Sequence, residues 1–120
     1  SLIQVWDAKF SYSLRKWLPL NQVNRDKYEF MNDLRERVLF LEKILTGNIL
    51  SFAKGLGIHF EKQIDCGITQ MQEKGVMRYK NINFETFDIK FWSNVSLPNY
   101  IGLGKGVSHG FGTCVLINDF

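Results

Sequence analysis

The chain has 120 residues, 45% of them hydrophobic and 14% aromatic, with a formal net charge of +3. This composition excludes a disordered or low-complexity segment and predicts one packed domain over residues 1–120. No apolar run reaches the roughly eighteen residues of a membrane span, and no secretion-signal pattern opens the chain, so a cytoplasmic protein with no membrane partner is expected. The mildly basic balance suits a nucleic-acid partner without requiring one. Cys66 and Cys114 both sit in strand-like segments and are expected as buried free thiols.

Taken in chain order, Phe10, Tyr12 and Leu14 alternate with Lys9, Ser11, Ser13 and Arg15. That period of two predicts a half-buried strand from Ala8, with a start as early as Ile3, ended by Pro19. Met31, Leu34, Val38, Leu41 and Leu45 then recur at helical spacing, with Asn24 or Asp26 as cap. Gly47-Asn48 is expected to break this helix, Gly47 ending it and Asn48 capping a short second one that stops at Gly55 and Gly57. Ile64, Cys66 and Ile68 alternate as a second strand, and Glu73-Lys74-Gly75 reads as the hairpin turn. The return strand begins at Val76, passes a turn or bulge at Asn81 and Asn83, and alternates again through Phe87, Ile89 and Phe91. Thr113 to Ile117 is apolar on both parities, which predicts a central strand covered on both faces. The order of elements matches βαββαβ with its second helix replaced by a loop. The expected fold is therefore α+β, a ferredoxin-like (RRM-like) antiparallel sheet with one long helix and a glycine-rich loop at about 98–112 before the last strand.

That loop, from Gly102 to Gly112, holds five of the chain's ten glycines, with Lys105, Ser108 and His109 among them. Successive N–H groups without side chains can form an anion-binding nest. The dinucleotide fingerprint fails because Val107 stands where its third glycine belongs and the strand follows the loop. The G-x-x-x-x-G-K-[ST] pattern is absent as well.

Gly-hydrophobic-Gly, a short polar stretch, then Gly-aromatic-Gly before a C-terminal strand resembles the glycine-rich loop of the CRISPR-associated repeat-processing endoribonucleases of the RAMP superfamily. Phe40 to Gly57 (FLEKILTGNILSFAKGLG) and Leu97 to Phe111 (LPNYIGLGKGVSHGF) are similar to the C-terminal half of one branch of that family, so the resemblance covers roughly the last ninety residues. It implies a CRISPR repeat (pre-crRNA) ligand held by Gly102, Gly104, Lys105, Gly106, Ser108, His109, Gly110 and Gly112. It also implies cleavage without metal, by attack of the RNA 2′-OH on its own phosphate, leaving a 5′-hydroxyl and a 2′,3′-cyclic phosphate. A base and an acid near neutral pH are needed, and His109 is the weak candidate on this chain. Family members usually take that histidine from their N-terminal half, so the partners implied are RNA and either a missing N-terminal domain or other CRISPR effector subunits.

Other constellations carry less. His59 reads as a connector residue, and no C-x-x-C or H-x-x-x-H spacing links His59, Cys66, His109 and Cys114, so neither a metal nor a cofactor is expected. Arg15, Lys16, Arg25, Lys54 and Lys62 could supply a basic surface, with Trp17 and Trp92 as stacking faces; scattered solvated lysines and core tryptophans explain them equally. Asp65 and Asp88 could meet across strands. A helix-turn-helix around Gly47-Asn48 is rejected, because Ile49 to Lys54 is too short and apolar to read DNA. Two alternatives stand beside the endoribonuclease reading: a non-catalytic RNA-binding or scaffold domain, and a small protein-interaction domain.

Overall fold

The computed structural model describes residues 3–117, so the outermost ends of the domain drawn over 1–120 lie outside the described residues. Its elements are β1 (Val5–Trp17), α1 (Gln22–Phe30), α2 (Leu34–Gly55), β2 (Cys66–Tyr79), β3 (Ile82–Val95), β4 (Ile101–Gly102), a 3-10 turn (Val107–His109) and β5 (Thr113–Leu116). The sheet runs β2-β3-β1-β5-β4, every neighbouring pair antiparallel. With the two-residue β4 set aside, this is the ferredoxin-like strand order, and the glycine-rich segment occupies the place of the second helix.

The alternation in β1 and β3 sorts their side chains by face. Tyr12, Leu14, Phe87, Ile89, Phe91 and Cys114 point to one side and pack with Leu41, Leu45 and Ile49 of α2. The Tyr12 hydroxyl ties this layer to the chain's return, donating to Val95 O and accepting from the Leu97 N–H, each at 2.8 Å. Ser11, Ser13, Lys90, Trp92 and Val115 take the opposite parity and face away from the helices.

Four local expectations are corrected. The helical region starts earlier and breaks elsewhere: Asn21 and Asp33, not Asn24 or Asp26, cap α1 and α2, and Met31 sits between them. Nor does α2 break at Gly47-Asn48. Asn48 is held inside the helix because its Oδ1 accepts the indole N–H of Trp17 at 2.9 Å, and Gly47 has open space beside it. The hairpin turn is also not at Glu73–Gly75. Gly75, at φ +102, opens a bulge in β2, and the strand continues to a two-residue turn at Lys80-Asn81, both left-handed (φ 51 and 63). Finally, β5 is covered on one face only: Cys114 is buried beneath the helices, whereas Val115, of the opposite parity, is half-buried, and Leu116, of the parity of Cys114, is exposed at the strand's end.

Both cysteines are free thiols, Cys114 buried and Cys66 partly so. Burial pushes the Cys114 thiol from its ordinary 9.0 up to about 12 and raises Cys66 as well. Burial likewise raises the Tyr12 phenol, and burial together with a hydrogen bond donated to Glu73 raises that of Tyr28. The folded chain keeps these groups protonated where the unfolded chain ionises them, so the unfolded state holds fewer protons and stability falls as pH rises. The urea midpoint is expected to hold between pH 7 and about 8.5 and to drop between pH 9 and 12, the range set by the Cys114 shift. A midpoint that stays flat to pH 11 contradicts it.

Among the described residues no helix is long and apolar enough to cross a membrane.

Candidate nucleic-acid interface

The glycine-rich loop is closed at its base before it offers anything to a ligand. β4 pairs with β5 through Ile101↔Cys114 and Gly102↔Thr113, and the Leu103 N–H then donates to Gly112 O at 2.9 Å. Leu103 drops its side chain into the main core, and the Gly112 N–H donates to Lys16 O at 2.9 Å, which fastens the loop to the end of β1. Gly112 has to be glycine here: its φ is +71, and a Cβ would run into the carbonyl oxygen of Leu103. Gly104, at φ +88, lets the chain pass the indole of Trp17, where a Cβ would stand 3.0 Å from Nε1.

The tip folds on itself. Gly106 O accepts from the N–H groups of His109 and Phe111, and Val107 O from that of Gly110. Phe111 then packs with Leu18 and Phe84 in a second apolar cluster, separate from the main core, with Tyr79 alongside. The loop therefore lies across the far end of the β2–β3 hairpin. The His109 ring meets Tyr79 edge-on at 5.2 Å between centroids, and its Nδ1 lies 3.1 Å from Ser108 Oγ. Lys105 Nζ sits 5.5 Å from the Phe84 ring centre and Lys80 Nζ 5.3 Å from that of Tyr79. The result is an exposed strip bearing Lys105, Ser108 and His109 above an aromatic floor.

The loop's donors divide into two sets. The N–H groups of Leu103, His109, Gly110, Phe111 and Gly112 are committed to carbonyls of the chain. Among the described residues those of Gly104, Lys105, Gly106, Val107 and Ser108 donate to no backbone carbonyl, and the first three adjoin the Lys105 side chain. Three adjacent donors beside a lysine can receive a phosphate.

The other sequence candidates separate in space. Trp17 is fully buried and offers no stacking face, whereas Trp92 lies on the open sheet face with Lys9 Nζ 4.2 Å from its ring centre. Arg15 and Lys16 adjoin the loop, and Arg25 shares a groove with Lys105. His59 and Lys62 line a different groove with Gln4 and Val5, at the other end of β1. The two histidine regions lie at opposite ends of β1, whose stretch from Val5 to Lys16 is up to roughly 35 Å long at about 3.3 Å per residue. His59 and His109 cannot act on one phosphate. Asp65 and Asp88 do not meet either, since Asp65 lies beside Asn94 while Asp88 accepts the Lys16 N–H at 2.9 Å. Sequence reasoning missed Tyr100, which is 78% exposed and left-handed at φ 64. An aromatic residue following Pro98-Asn99 gives no hint of that.

Strand order, the loop in place of a helix, and its closure on β1 define a ferredoxin-like domain with a glycine-rich loop. The Cas6b C-terminal domain description matches residues 4–117. The chain belongs to the Cas6b C-terminal domain family, in agreement with the resemblance carried by the loop and by Phe40 to Gly57. It is 36% identical over 103 residues to the uncharacterized protein MJ0978 of Methanocaldococcus jannaschii, covering 86% of this chain and 69% of that protein. Two solved Cas6b structures, one of them described as a CRISPR RNA processing endoribonuclease, are 34% identical with TM-scores of 0.88 and 0.87. Each covers 96% of this chain, and the chain spans 58% of their length. Csf5, a type IV Cas6 crRNA endonuclease, shares the fold at 14% identity and a TM-score of 0.77, over 97% of this chain and 46% of its own.

Proposed function

We propose that this chain is the RNA-holding half of a CRISPR repeat-processing endoribonuclease, gripping pre-crRNA by its backbone at the glycine-rich loop. The carrying observation is the run of uncommitted N–H groups at Gly104, Lys105 and Gly106 beside the exposed Lys105 and His109 side chains. In this reading Lys105 and those three donors contact phosphates, Ser108 and His109 hydrogen-bond to the RNA, and Gly102, Gly110 and Gly112 shape the loop. Family membership and the likeness to solved Cas6b support the ligand class.

Cleavage in the longer protein proceeds by attack of the 2′-OH on the adjacent phosphate, giving a 2′,3′-cyclic phosphate and a 5′-hydroxyl. That reaction needs a base for the 2′-OH and an acid for the leaving oxygen, and no metal. His59 lies too far from His109 to complete such a pair, and in this reading the second group comes from outside this segment.

Lys105→Ala tests the grip. It is expected to weaken repeat RNA uniformly across sequences and to reduce the slope of log affinity against log salt by about one. Lys43→Ala, on the exposed face of α2, is the control and leaves both quantities unchanged. A Lys105→Ala protein that binds like the parent at every salt concentration makes the loop architecture only.

A further inference from the structure

The sheet face turned away from α2 forms a continuous polar track that begins at the glycine-rich loop. We propose that this track binds single-stranded RNA flanking the repeat hairpin, with a base stacked on Tyr100 and phosphates held by Arg15 and Lys90. The inference rests on the RNA-holding reading above and extends it to a second site.

Two grooves make the track. The first, about 620 Å³, is bordered by Ser13, Arg15, Asp88, Tyr100, Gly110 and Thr113, so one end of it is the loop itself. The second, about 550 Å³, shares Ser13, Arg15 and Asp88 with the first and reaches Gln70, Gln72 and Lys90. Strand register explains the continuity. Ser13 pairs with Lys90 and with Val115, Arg15 with Thr113, and Gln70 and Gln72 with Lys90 and Asp88, which puts them all on one face. At about 4.8 Å between strands, five strands give roughly 19 Å of width, room for the two or three bases that sheets of this type stack.

The chemistry of the track favours unpaired nucleic acid. Lys9, Arg15 and Lys90 supply positive charge on this face, and Asp88 has one oxygen engaged by the Lys16 N–H at 2.9 Å. Gln70 and Gln72 add amides that can read base edges. Tyr100 is 78% exposed on a left-handed backbone, an arrangement with no packing gain that the fold nevertheless fixes, its N–H donating to Cys114 O at 2.7 Å. An exposed ring beside a cationic groove is a stacking platform for a base, and duplex RNA has no free base face to offer it. A protein partner fits this polar face less well than the helical layer, where Phe30 and Leu34 are 86% and 64% exposed.

The test uses the purified chain with two labelled RNAs, the repeat hairpin alone and the same hairpin with a single-stranded flank of about eight nucleotides on either side. The flank is expected to tighten binding about fivefold or more, the effect of one base–aromatic stack. Tyr100→Ala and Arg15→Ala should each remove most of that gain, Tyr100→Trp should keep it, and the hairpin alone should bind equally well to all of them. A flank that adds nothing to a hairpin that binds overturns the track and leaves the loop reading standing. So does a flank gain that survives Tyr100→Ala and Arg15→Ala, as it does where protein covers this face. Equal weakening of both RNAs by Tyr100→Ala also overturns it. A hairpin that fails to bind at low salt overturns the loop reading instead.

Discussion

Gly112→Ala is expected to destabilise the fold by about 3 kcal/mol, the sum of a left-handed alanine and a backbone forced aside. Gly112 stands at φ +71 with the Leu103 carbonyl oxygen where its Cβ would be, so relief requires β4 and β5 to part. Parting them breaks the Leu103 N–H to Gly112 O bond and the Gly112 N–H to Lys16 O bond, the two that close the loop and fix it to β1. Gly110→Ala is the comparison. Its φ of +85 carries the same conformational cost, but open space surrounds it, so only about 1–2 kcal/mol is expected. Urea unfolding of the two variants separates strain from clash, and equal losses contradict the closure described for the loop.

The second large effect is at Trp17. Its side chain is fully buried, lies edge-on to Phe87 at 6.4 Å and donates its indole N–H to Asn48 in α2. Trp17→Ala is expected to cost about 3–5 kcal/mol, a large share of the 5–15 kcal/mol that holds a domain of this kind together. The loss reaches the loop, because Gly104 rests against the Trp17 ring. Asn48→Leu isolates the polar part: it leaves the indole N–H buried without an acceptor, at about 1–3 kcal/mol. Thermal melts rank the two variants, and an Asn48→Leu protein as stable as the parent removes the hydrogen bond from the account.

What the sequence made legible and what it hid differ for physical reasons. β1, the hydrophobic half of β3 and the loop were readable because each is a local pattern: alternation in the first two, glycine density in the third. The break at Gly47-Asn48 was misread because glycine and asparagine favour helix ends when judged locally, and the Trp17–Asn48 bond that overrides this joins residues 31 apart. Gly75 misled in the same way: a glycine after two charged residues signals a turn, but here it opens a bulge, and Lys80-Asn81 turns the chain without any glycine. The loop's composition announced a nest, whereas the division between committed donors and the three at Gly104–Gly106 depends on the fold. The exposure of Tyr100 and the open sheet face were hidden because the first depends on a left-handed backbone and the second on strand register.

The most direct test of the account mixes the purified chain with a labelled repeat-hairpin RNA in EDTA and follows binding and cleavage on one gel. The account predicts a retarded, uncut RNA at low salt, released as salt is raised and phosphate contacts are lost. RNA that is not retarded at low salt contradicts the central claim that the glycine-rich loop holds repeat RNA. Cleavage at one position contradicts the assignment of part of the catalytic pair to a region outside this chain.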